Sequence, residues 1–145
     1  MSDVHTDLGA VVIAVNALAA LAGLYAWWRA PTRAFWPLLR AGQALVMIEA
    51  VLGAALLLDG KDLPRLHLIY GLVPIAVAFV AEQLRLASAE TVLQQHELEG
   101  AKDVARLPEP EQRALVAAIV RRETGVMAAS AAVVALLCLR AQGWL

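Results

Sequence analysis

Residues 8–28 (LGAVVIAVNALAALAGLYAWW) run for 21 positions without a charge. An α-helix needs roughly 20 apolar residues to cross a hydrocarbon core about 30 Å thick, so this segment predicts a membrane span. Asp3 and Asp7 precede it and an aromatic pair ends it, whereas a cleaved signal peptide has a basic start and a shorter apolar core; the segment is expected to stay in the protein. Three more apolar runs follow, at 41–58, 66–81 and 124–139. The last two are short for a span, so flanking Arg and Glu side chains must reach for the interface or the helices stand nearly upright. The pattern therefore predicts an all-α fold, an integral membrane four-helix bundle forming a single transmembrane domain.

Between the third and fourth spans, residues 82–123 are polar but rich in helix formers. From Glu82 to Glu99 there is no Pro or Gly, which predicts that the third helix projects beyond the membrane until Gly100. Pro108 and Pro110 break it, and Pro110 suits the first turn of a new helix that runs on into the fourth span. A helical hairpin results.

The loops orient the bundle. Arg29, Arg33 and Arg40 flank the first connection with no acidic residue, while the second mixes Asp59, Lys61, Asp62 and Arg65. Cytoplasmic loops carry the basic excess, which places the first connection inside and both termini outside. The hairpin then falls inside too, with Arg85, Lys102, Arg106, Arg113, Arg121 and Arg122. Trp27, Trp28, Phe35 and Trp36 gather at the inner boundary, as an interfacial aromatic belt would.

Composition agrees with a membrane protein: 61% of residues are hydrophobic and 17% charged, well above the apolar share of roughly half in soluble domains. A net charge of -1 lacks the basic excess that binding nucleic acid requires. Cys138 is the sole cysteine, so neither an intrachain disulfide nor a paired-thiol redox centre can form. Ten arginines against two lysines, with abundant Ala, Gly and Leu, fit a GC-rich bacterium and its inner membrane.

Glu49 stands out against this background, because a carboxyl near the bilayer midplane costs roughly 2.5–3.5 kcal/mol and must find protein or water. Counting from the outer boundaries, Asn16, Glu49, Pro74 and Ser130 all lie roughly 12–15 Å deep. Gly9, Asn16, Ala20 and Gly23 share helical spacing, as do Gly42, Glu49 and Gly53, which points Asn16 and Glu49 inward and at each other. His67 and Tyr70 sit in the outer half of the third span; imidazole, phenol and carboxyl are the groups that hold quinone carbonyls or relay protons. His5 lies on the same side, and His5 with His67 is the arrangement that could ligate a haem iron from two helices. No His/Asp/Glu cluster has metal-ligand spacing, and no serine-nucleophile motif or phosphate loop is present.

These residues support two expectations. The first is a non-enzymatic accessory or assembly subunit without cofactor, set in the lipid bilayer and binding other membrane proteins or a second copy through small-residue faces. The second is a quinone- or haem b-binding module for redox or proton handling, with Glu49, His67, Tyr70 and Asn16 at its site and His5 with His67 as the haem alternative. A small transporter would need oligomerisation, because four short helices enclose little volume. The purified protein is expected to carry no haem, since His5 lies among Ser2, Asp3 and Thr6 near the start of the chain, where helices fray.

Overall fold

A computed structural model describes residues 2–29, 32–60 and 64–144. The chain forms α1 (Ser2–Trp28), α2 (Phe35–Leu58), α3 (Arg65–Gln95), the single turn α4 (Ala101–Val104) and α5 (Glu109–Ala141). The four long helices are each long and apolar enough to cross a membrane by length and composition, which points to a multi-pass membrane protein. Lys61 and Asp62, two of the charges in the second connection, lie outside the described residues.

Each long helix exceeds its apolar run, because the run ends where the lipid does while the helix continues for as long as its backbone hydrogen bonds are made. α1 begins at Ser2, so His5 sits within the helix and the fraying expected there is not seen. α3 stops at Gln95, short of Gly100. The stop is a backbone motif: Glu97 takes a positive φ of 56°, Leu98 N donates to Leu93 O at 3.0 Å and Glu97 N to Gln94 O at 3.1 Å. This satisfies the last carbonyls with a non-glycine residue in the left-handed region, which a sequence offering Gly100 does not advertise. At α5 the same motif uses Gly143, with φ 74°. Pro110 falls in the first turn of α5, as its missing N–H suits.

Around the bundle, α1 packs extensively on α2 and on α5, and α5 on α3; α2 meets α3 only sparsely. The fold is thus a row of helices bent round until α2 and α3 leave a seam. Leu21, Val51, Leu72, Phe79 and Leu136 are all more than half exposed, the apolar surface that a bilayer would cover. The interior mixes alanines with a few larger apolar residues. Ala19, Phe35, Leu39, Met127 and Ala131 form one buried cluster, and Val12, Val46 and Val134 another.

Glycine sets how closely the helices approach. A Cβ on Gly23 would stand 2.5 Å from Phe35 Cε2 and 2.7 Å from Ala128 Cβ. Phe35 therefore fills the bundle beneath Gly23, at 1% exposure, rather than joining the aromatic belt. Trp27 packs on Gly125 in the same way. Small residues let backbones close up and gain van der Waals contact where lipid supplies no hydrophobic drive. Beyond the apolar runs, Glu82 binds Arg40 of α2 and Arg85, and Arg85 reaches Glu123 of α5 at 3.9 Å.

Candidate functional site

The end of the bundle that carries both termini also carries a four-helix cluster of polar side chains. His5 is on the second turn of α1, Glu49 on the last half of α2, His67 on the first turn of α3, and the final carbonyls of α5 complete it. Small residues make the meeting possible from both sides. Gly53, one turn beyond Glu49, faces the His5 ring, where a Cβ would stand 3.5 Å from Cε1. Gly9, one turn beyond His5, faces Glu49, where a Cβ would stand 3.2 Å from Oε1.

His5 Nδ1 is 3.0 Å from Glu49 Oε1. The atoms are close enough for an ion pair but out of line for a hydrogen bond, so His5 Nδ1 and Glu49 Oε2 stay buried without a hydrogen-bond partner among the described residues. His67 Nδ1 is 2.9 Å from Ala141 O. That carbonyl belongs to the last turn of α5 and has no partner within its own helix, which is why it is open to a side chain. A carbonyl only accepts, so Nδ1 of His67 carries the proton and its Nε2 carries a lone pair. The two rings present their Nε2 atoms to each other at 3.5 Å, edge to face, with centroids 5.7 Å apart.

With the His67 proton on Nδ1, its Nε2 lone pair can accept from an Nε2–H tautomer of His5, whose Nδ1 makes no hydrogen bond among the described residues; with His5 in the other tautomer, both Nε2 lone pairs would face a metal ion. Imidazole nitrogens bind metals at about 2.0–2.1 Å, so trans ligands on one metal stand about 4 Å apart; a small side-chain rotation covers the difference. Orienting each ligand ring through its second nitrogen is the usual second-shell device of a metal-bound histidine. Among the described residues no group of three or more His, Cys, Asp or Glu forms a metal cluster, so any metal here arrives with most of its ligands.

A cavity of about 190 Å³ adjoins the pair at the seam between α2 and α3. Gly9, Gly53 and Gly71 line it together with Val46, Leu57 and Leu72. Gly71 opens onto empty space, where a Cβ would meet nothing within 4 Å. Cys138 and Gln142 of α5 also face it; neither was singled out from the sequence as a site residue, although their spacing of four places them on one helix face.

The other sequence candidates lie elsewhere. Asn16 does not face Glu49. Its Nδ2 donates to Val12 O at 2.9 Å and its carboxamide lies over Gly42, whose added Cβ would stand 2.8 Å from Oδ1. With Pro74 and Ser130 it lines a separate cavity, so the single polar layer inferred from depth divides in two. Tyr70 does not line the cavity of Glu49 and His67; its ring lies 5.9 Å from the guanidinium carbon of Arg140.

No protein-family model, curated protein or solved structure matches this chain.

Proposed function

We propose that the chain is a membrane-embedded b-type haem protein, in which His5 and His67 would hold the iron. The observation that supports this best is the pair of Nε2 atoms 3.5 Å apart, with His67 Nδ1 held by Ala141 O at 2.9 Å and His5 Nδ1 lying 3.0 Å from Glu49 Oε1. The two imidazoles would suit iron in a porphyrin, and Gly71 leaves open space on the cavity side of the pair. When bound, such a group would supply single-electron transfer. Ala141 O orients the His67 ring through Nδ1, Glu49 sets a carboxylate 3.0 Å from His5 Nδ1, and Val46, Leu57 and Leu72 give the cavity an apolar lining.

Two of the small residues behind the assembly-subunit reading pack within the chain, Gly23 against Phe35 and Ala128 and Gly42 against Asn16. A hydrogen bond between the two imidazoles, one Nε2–H donating to the other Nε2, is the second reading, with 3.5 Å at the outer limit of such a contact. For the membrane orientation we take both termini outside, in the bacterial inner membrane. It is supported by the basic residues gathered at the opposite end, Arg29, Arg33, Arg40, Arg121 and Arg122.

Expression with a haem supply, purification in mild detergent and a pyridine haemochrome assay test the proposal. The expected result is one haem per chain with a low-spin, bis-imidazole spectrum, lost in both His5→Ala and His67→Ala. Folded, monodisperse protein that takes up no haem refutes it. A colourless protein whose His5 and His67 ring nitrogens are hydrogen-bonded to each other in ¹⁵N spectra would establish the second reading in its place.

A further inference from the structure

The seam between α2 and α3 holds a second cavity, of about 240 Å³, separated from the first by Val46, which lines both. Leu39, Ile75 and Val134 line it together with two sets of polar groups. Asn16 of α1 and Ser130 of α5 are buried, only 2% and 8% exposed. Arg40 and Gln43 of α2 and Glu82 of α3 are the more exposed set. Gln43 donates to Glu82 at 3.0 Å and accepts from Arg40 at 2.6 Å, which occupies the amide, whereas the five N–H groups of an arginine leave donors to spare. Asn16 Nδ2 donates to Val12 O, and its Oδ1 can accept a hydrogen bond from an occupant of the cavity that it lines.

We propose that this cavity binds the head group of an isoprenoid quinone or quinol, entering sideways from the bilayer. Three features select that chemistry. The ring of a quinone is flat and apolar with two oxygens, and the cavity has an apolar lining with a buried polar pair, Asn16 and Ser130, and a more exposed polar group, Arg40, Gln43 and Glu82. A quinol hydroxyl can donate to Asn16 Oδ1, and Ser130 and Arg40 can donate to the oxygens of the oxidised form. The lips of the cavity are Met47 and Phe79, 51% and 66% exposed, and an isoprenoid tail would leave between them. A phospholipid acyl chain could lie in the same groove but has no donor for Asn16. This site is separate from Glu49, His67 and Tyr70, and the inference does not rest on the haem.

Titration of delipidated protein with decylubiquinone, read by quenching of tryptophan fluorescence, tests it; Trp36 lies at the rim, about 6 Å from both Arg40 and Arg85. Saturable binding is expected, roughly tenfold weaker in Asn16→Leu, the loss of one hydrogen bond. Ala78→Phe fills the cavity from α3 without removing a polar group and should abolish binding while helical content and elution are unchanged, so that a misfolded Asn16 variant does not blunt the test. Decylbenzene, with ring and tail but no oxygens, should fail to compete. Unchanged affinity in Ala78→Phe, or displacement by decylbenzene at equal concentration, overturns the proposal in favour of a groove for any lipid tail.

Discussion

Replacing Glu49 separates a residue that clamps helices from one that tunes a ligand. Its Oε1 lies 3.0 Å from His5 Nδ1, and Oε2 has no hydrogen-bond partner among the described residues. Interhelical polar contacts in membranes are worth about 0.6 kcal/mol on average and about 1.7 at most. Glu49→Gln keeps the volume and an acceptor for His5, so its effect on bundle stability should fall below about 0.6 kcal/mol. Glu49→Leu removes the contact but also removes a buried carboxyl, and its net cost should stay under about 2 kcal/mol. Haem retention should respond differently. Loss of a charged second-shell partner typically weakens metal binding by about 10- to 100-fold, equivalent to about 1.4–2.8 kcal/mol. The assay is a competition for haem against apomyoglobin, run beside thermal unfolding of the same three proteins. The expected outcome is haem affinity lowered by at least about tenfold in Glu49→Gln with its melting temperature unchanged. If Glu49→Gln holds haem as wild type does, Glu49 does not orient His5; if haem loss and melting temperature fall together, the carboxyl acts only through the packing of α1 on α2.

Three further outcomes follow from particular contacts. Gly23→Ala and Gly71→Ala both gain helix propensity, but only the first meets Phe35 and Ala128 within 3 Å; circular-dichroism melts should place Gly23→Ala below Gly71→Ala by about 1–3 kcal/mol, the cost of overpacking, and equal melts would mean that α1 and α5 are not so close. Glu97→Gly relieves a left-handed residue at the end of α3 and should stabilise the protein by about 1 kcal/mol in the same assay. With Cys138 replaced, cysteines at Arg33 and His96 should react with an impermeant maleimide only after the membrane is opened, and labelling of His96→Cys in intact cells would reverse the orientation.

Much of the site was already visible as isolated signals. Glu49 announced itself as a lone carboxyl in an apolar run, and His67 as a ring at the mouth of a span. What the one-dimensional pattern misjudged was the partner. Depth counted along each helix put Asn16 beside Glu49, yet depth says nothing about rotation, and the helices turn Asn16 onto Gly42 and Glu49 onto His5. His5 was discounted because chain ends fray, a rule that holds only where no neighbour ties the end down; Gln142 reaches Thr6 O at 3.5 Å and His67 meets His5 across the gap. The glycines Gly9 and Gly53 carried the missing information, each four residues beyond the polar side chain of its own helix and opposite that of the other.

The apolar runs by themselves determined four helices, their order and the basic end, because lipid leaves a backbone of that length no alternative to satisfying its own hydrogen bonds. The pairing of helices was left open, since one apolar face is as soluble in lipid as another. Only the tertiary structure decided that α1 lies between α2 and α5, that α2 and α3 meet only sparsely, and that the seam between them holds both cavities. Close approach at Gly23, Gly42 and Gly125 selects those pairings through contacts of a few tenths of a kcal/mol each, and such sums depend on shape in three dimensions rather than on the period of the sequence.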